Sequence, residues 1–342
     1  MTNDVTTLPP SARAASGGRD LAALPKAHLH LHLEAGMRPE TLADLAGKYD
    51  LPVPVIGDYG SFSAFSSTYE LATEVLREPD DWERLADETV SDGAADGAAY
   101  LELTFWAAHH RHRFASDEAC WAFVTSTFNA AGERHGVAVR YMPAVDRVRD
   151  SPEEAMRLAH LAVDLIPEGA VSFGLHNDEV GHPGAPYADA FALIKEAGLQ
   201  STPHAGELEG PHHVVEAIEV LQADRILHGV RSVEQPGLVE RIAEAGICLD
   251  VCPTSNLLLS IVPDLASHPL PRLLEAGVRC SINGDDPLLF GPGLLDEYVL
   301  CREELGCTDA QLADIARASI ECGGCPDDVR VEALAGIDAW LA

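Results

Sequence analysis

The chain has 342 residues, 46 % of them apolar, enough to build a large core. Against 23 Lys and Arg stand 55 Asp and Glu, a formal net charge of −32. Such a surface repels nucleic acid and anionic membranes, and no run of about 18 apolar residues is present to span a bilayer.

Residues 1–22 are rich in Ser, Gly, Pro and Ala and carry no apolar core segment. They read as a disordered tail, not a signal peptide. Residues 23–342 read as one domain. Eight short apolar segments are predicted strands: KAHLHLHL (26–33), AAYLELTF (98–105), VAVRYMPA (137–144), AVSFGLH (170–176), LQSTPHA (199–205), RILHG (225–229), ICLDVCP (247–253) and RCSINGDD (279–286). Between them lie helical patterns. SPEEAMRLAHLAVDLI opens with Ser151 as N-cap, Pro152 at the first helical position, and Glu153 and Glu154 in the first turn. Other helices end at Gly198, Gly246 and Gly277, where glycine suits a left-handed cap. Repeated strand–helix units imply a parallel sheet, and eight of them a (β/α)₈ TIM barrel. The first crossover, 35–97, has room for three or four helices and is expected to lie over the barrel mouth as a lid. Of eight cysteines several sit in apolar runs, which suggests buried free thiols in a reduced, cytoplasmic compartment. Cys322 and Cys325 form a single CGGC with no second pair at finger spacing, so a structural role is expected.

Chemistry in such a barrel collects at the C-terminal ends of the strands. His28, His30 and His32 alternate in the first, and residues two apart on a strand face the same way. The fifth ends in PHAGE, with His204 and Glu207; the sixth in LHG, with His228; the eighth in NGDDP, with Asp285 and Asp286. Four strand ends thus bring ionisable groups to one rim. Three histidines plus a carboxylate suit one Zn²⁺ per chain, which lowers the pKa of water toward about 7.

PKAHLHLHLEAG, HAGE, LHGV, CPTSN and SINGDDP, in this order and spacing, resemble the adenosine deaminase family of metal-dependent hydrolases over residues 24–341. The resemblance implies a (β/α)₈ barrel that deaminates a small 6-aminopurine hydrolytically, adenosine or a related adenine nucleoside first, with free adenine or aminodeoxyfutalosine as alternatives. It makes His30, His32, His204 and Asp285 the zinc ligands. Glu207 becomes the acid that protonates ring N1, His228 the group that steers the attacking water, and Asp286 the carboxyl facing N7. His28 is left as a packed core residue.

The chain departs from the family pattern in places. Glu34 stands two residues after His32, where adenosine-acting members carry Asp against the ribose. Asn177 replaces a family glycine whose backbone N–H approaches N3, and His176 beside it is either a substrate contact or a packed strand residue. The loop HHRHR (109–113) offers Arg111 and Arg113 as partners for an acidic substituent on the substrate. The two-metal amidohydrolases usually need a bridging lysine at the end of the fourth strand; LHNDE has none, which favours one metal. The presence of every ligand and both acids weighs against a catalytically inactive binding relative.

Overall fold

All eight apolar runs form parallel strands: β1 (Lys26–His32), β2 (Ala98–Phe105), β3 (Ala138–Asp146), β4 (Ser172–His176), β5 (Gln200–Ala205), β6 (Arg225–His228), β7 (Cys248–Val251) and β8 (Arg279–Ile282). The structure, a computed structural model, describes residues 18–57 and 59–342. Each strand pairs with the next in chain order, giving a nearly closed barrel. Every residue of β6 and β7 is buried, as expected where helices cover one face of a parallel sheet and the barrel interior the other. The two ends of the sheet meet beyond the end of β8. The His32 N–H donates to the Asp285 carbonyl and the Asp285 N–H to the His30 carbonyl, both at 3.1 Å.

Helices α1 (Pro39–Lys48), α2 (Phe62–Thr73) and α3 (Pro79–Ala95) occupy the long first crossover. One helix follows each of β2 to β6: α4 (Asp117–His135), α5 (Pro152–Asp164), α6 (Ala188–Glu196), α7 (Pro211–Glu219) and α8 (Leu238–Ala245). After β7 come α9 (Pro253–Leu258) and α10 (Leu270–Glu275). After β8 come α11 (Pro287–Phe290), α12 (Leu294–Glu303), α13 (Asp309–Cys322) and α14 (Asp327–Leu341). The Ser151 hydroxyl accepts the Glu154 N–H at 3.2 Å, so α5 starts where the capping signal placed it. Gly246, at φ 69°, ends α8 in the left-handed conformation.

Of the expected tail, residues 1–17 lie outside the described residues. The remainder is docked. The Arg19 guanidinium donates to the Trp340 carbonyl at 2.7 Å and Leu21 is buried, so packed chain begins ahead of residue 23. All eight cysteines are buried free thiols, as expected. Among the described residues no helix is long and apolar enough to cross a membrane.

Inside the barrel lies an ionic network absent from the sequence reading. Arg225 on β6 pairs with Glu102 on β2 and, at 3.0 Å, with Asp250 on β7. The Ser172 hydroxyl donates to Glu102 at 2.6 Å and the Ser281 hydroxyl to Asp250 at 2.6 Å. All three charged residues are fully buried. Removing the cation strands two carboxylates in the core, so Arg225→Met should cost about 3–5 kcal/mol. The check is a urea midpoint that falls at unchanged slope; a midpoint equal to the parent's would show the network to be energetically neutral.

Candidate active site

β1 delivers His30 and His32, the end of β5 delivers His204, and the loop after β8 delivers Asp285. One ligand atom from each of the four lies within 4.8 Å of the others. His30 Nε2 is 3.1 Å from His204 Nε2 and 3.1 Å from Asp285 Oδ1, and His32 Nε2 is 3.5 Å from the same oxygen. His204 Nδ1 faces the Leu175 carbonyl at 3.0 Å, and His30 Nδ1 faces the Asp250 carbonyl at 3.3 Å. A carbonyl only accepts, so each ring carries its proton on Nδ1 and turns the Nε2 lone pair inward. Two lone pairs opposed at 3.1 Å beside a carboxylate repel one another, and a cation between them converts the repulsion into attraction. The donor set therefore fits a divalent metal ion. Burial pushes His32 down to about 3, and burial with the neighbouring imidazoles pushes His204 well below its usual range, which keeps both in the neutral form that binds metal.

His28 shares the strand face but lies off the cluster. Its Nε2 accepts the Gly284 N–H at 2.8 Å, so this buried residue pins the loop that carries Asp285.

Glu207 sits on a turn held by a residue that the sequence reading did not single out. The Glu179 carboxylate, fully buried, accepts the N–H groups of Gly206, Glu207, Leu208 and Glu209 at 2.7–3.0 Å. Arg147 donates to the His204 carbonyl at 2.6 Å and ties the same turn to the ligand. Glu207 Oε1 is 3.4 Å from His228 Nε2, which is 3.9 Å from Asp285 Oδ2. Burial, then the charges of Asp285 and Glu179, push the Glu207 carboxyl well above the carboxylate range. Burial, then Asp285, does the same to Asp286, whose Oδ1 is buried without a hydrogen-bond partner among the described residues.

Three of the six non-glycine residues with positive φ among the described residues fall here: Asn177 (77°), His228 (64°) and Asp285 (59°). Left-handed backbone costs about 1–2 kcal/mol per residue in most side chains, and such strain gathers at functional sites. Asn tolerates this conformation, which accounts for Asn177 where glycine was expected. Its side chain donates to Asp146 at 2.8 Å.

The cluster opens into a pocket. Its wall includes Glu34, Asp286, Asn177, His176 and, from the first crossover, Phe62, Phe65 and Tyr69 of α2. Glu34 is clamped: the Tyr69 hydroxyl donates to one oxygen at 2.8 Å and His110 Nε2 sits 2.8 Å from the other. Burial would raise Glu34, but the bond to His110 and the fields of His110 and His109 together more than offset it and leave the carboxyl below its ordinary range.

The arginines of the 109–113 loop are a correction. Arg111 is forked onto Asp117 at 2.9 and 2.8 Å and also pairs with Glu154. Arg113 pairs with Glu74 at 2.7 Å. Neither lines the pocket, because acids outside the rim claim both. The loop reaches the site through His109 and His110 instead. The basic side chain at the pocket is Arg149, paired with Glu70 and stacked 5.6 Å from the Trp106 ring.

Over residues 25–340 the sequence matches the family described as adenosine deaminase. A Streptomyces virginiae protein named "Putative adenosine/adenine deaminase" is 39 % identical over 334 residues, covering 94 % of this chain and 98 % of its own. An aminodeoxyfutalosine deaminase of Streptomyces avermitilis is 35 % identical over 348 residues, 96 % of this chain and 97 % of its own. The crystal structure of an adenine deaminase from Arthrobacter aurescens superposes with a TM-score of 0.84 at 28 % identity, covering 93 % of this chain and 99 % of that one.

Proposed function

The chain belongs to the adenosine deaminase family and so is a hydrolase of C–N bonds in cyclic amidines; from that premise we propose that it removes the 6-amino group of adenosine or a related adenine nucleoside, with one zinc ion held by His30, His32, His204 and Asp285. Three imidazoles and one carboxylate are a donor set for zinc. When bound, the ion supplies a water nucleophile usable at neutral pH.

Glu207 carries the reading. Purine N1 offers only a lone pair, so the group that faces it must arrive protonated. A buried carboxyl held above its ordinary range, 3.4 Å from His228 and next to the ligand cluster, meets that requirement. Its proton on N1 draws electron density from C6, so that addition of water there gives a tetrahedral carbon beside a neutral N1–H. Asp286, also held neutral, can donate to N7, which satisfies its unpartnered oxygen. His228 orients the incoming water. Ammonia leaves and a 6-oxopurine remains. Phe62, Phe65 and Tyr69 support α2 as a lid over the base.

Trp106 and Arg149 also line the pocket, and on this reading the sugar of a nucleoside lies on their side. One observation favours free adenine as the second reading: each Glu34 oxygen already accepts a bond, from Tyr69 or His110, and a ribose hydroxyl would compete with them. The test is ammonia release from adenine, adenosine and aminodeoxyfutalosine by zinc-loaded protein. A kcat/KM for adenosine at least about tenfold above that for adenine supports the first reading. The reverse order supports the second, and no ammonia from any of the three overturns both.

A further inference from the structure

We infer that Asn256 and His268 are positioning residues that set the tautomer and orientation of His228, through a chain of hydrogen bonds that begins at the backbone N–H of Leu270. That N–H donates to His268 Nδ1 at 3.1 Å. A backbone amide can only donate, so His268 Nδ1 carries a lone pair. His268 is buried, and burial pushes it down to about 4, which leaves the ring neutral with its one proton on Nε2. Nε2 lies 3.2 Å from Asn256 Oδ1. The Asn256 amide is therefore oriented: its oxygen accepts from His268 and its NH₂ faces His228, with Nδ2 at 3.2 Å from His228 Nδ1. His228 Nδ1 must then be the acceptor, and the proton of the ring sits on Nε2. That is the nitrogen 3.4 Å from Glu207 and 3.9 Å from Asp285.

The chain is built rigidly. Asn256 lies in α9, is fully buried, and its carbonyl accepts the N–H groups of Ile261 and Val262 at 2.9 and 3.1 Å. His268 precedes Pro269, which favours extended backbone, and His268 is extended at φ −63°, ψ 132°. His228 itself sits at φ 64°, a conformation that holds only where its surroundings enforce it. The opposite tautomer would aim a lone pair at Asp285 and set a ring N–H against the Asn256 NH₂. The chain thus makes the site-facing edge of His228 a fixed hydrogen-bond donor.

The experiment is ¹⁵N NMR of histidine-labelled, metal-free protein, with the His228 signals assigned by their loss in His228→Asn. Wild type should show His228 protonated on Nε2. Asn256→Asp is nearly isosteric, and its carboxylate can only accept, so His228 should switch to protonation on Nδ1. His268→Gln keeps a donor toward Asn256 and should preserve the wild-type tautomer. In zinc-loaded protein Asn256→Asp should lower kcat about 10–100-fold with KM and metal content unchanged. Protonation of wild-type His228 on Nδ1, or no switch in Asn256→Asp, overturns the chain. The effect on turnover rests on the proposed role of His228 and the tautomer does not. A switch without loss of kcat therefore refutes the consequence for turnover alone, and absence of any deamination by wild type faults the functional reading alone.

Discussion

His204→Ala should leave the protein essentially free of zinc and without measurable deaminase activity. His204 Nε2 stands 3.1 Å from His30 Nε2, within the four-residue cluster, and the Leu175 carbonyl sets its tautomer. Loss of an outer partner of a metal ligand typically costs about 10–100-fold in affinity or activity. Loss of a direct ligand, which also opens the coordination shell to water, should cost at least about 100-fold in zinc affinity. The measurement is zinc per chain by elemental analysis after dialysis, expected near one for the parent and near zero for the variant. Parental zinc content in the variant would place the metal elsewhere.

Glu207→Gln should lower kcat about 10²–10⁴-fold, the usual worth of a positioned general acid, with KM changed by no more than a few-fold and zinc content unchanged. The substitution is informative because of what it leaves alone. The carboxyl is already held in its neutral form, so a neutral amide of the same size introduces no new charge. The four N–H bonds to Glu179 are made by backbone and persist. The amide can still donate a hydrogen bond to N1 but cannot surrender the proton. Steady-state kinetics on the best substrate of the panel reads the effect. A kcat within tenfold of wild type would assign the proton to another group.

The barrel and the histidine and aspartate cluster at its rim were legible in the sequence for related physical reasons. Parallel strands buried on both faces read as continuous apolar runs, and a polar residue at the end of such a run stands out. His204 and Asp285 announce themselves in this way, and His30 and His32 by their alternation on one strand. Residues that reach the pocket from elsewhere do not. Tyr69 and Phe65 come from an inserted helix whose amphipathic pattern says nothing about which face meets the mouth. Arg149 looks like any loop arginine until its place beside Trp106 is seen. For Arg111 and Arg113 the sequence shows position along the rim but not Asp117, Glu154 and Glu74, which claim them. Glu102, Arg225 and Asp250 lie 123 and 25 residues apart along the chain, and only barrel closure brings them together. Asn256 and His268 belong to the same class. Each looks unremarkable alone, and their meaning lies in the order of donors and acceptors between them.

Backbone bonds that join the two ends of the sheet are made by Asp285, the carboxylate proposed to hold the metal. On that proposal, ion binding and closure of the barrel are linked equilibria. An ion that binds only the folded arrangement adds RT ln(1 + [L]/Kd) to stability, about 4.1 kcal/mol at a thousandfold excess over Kd. Part of that free energy acts on the junction between the first and last strands, because drawing the Asp285 side chain toward His30 and His32 also holds its backbone in register with them. The metal would then act as a clasp on the cylinder as well as a reagent within it, and the strand junction should be the first place to loosen when the ion is withdrawn.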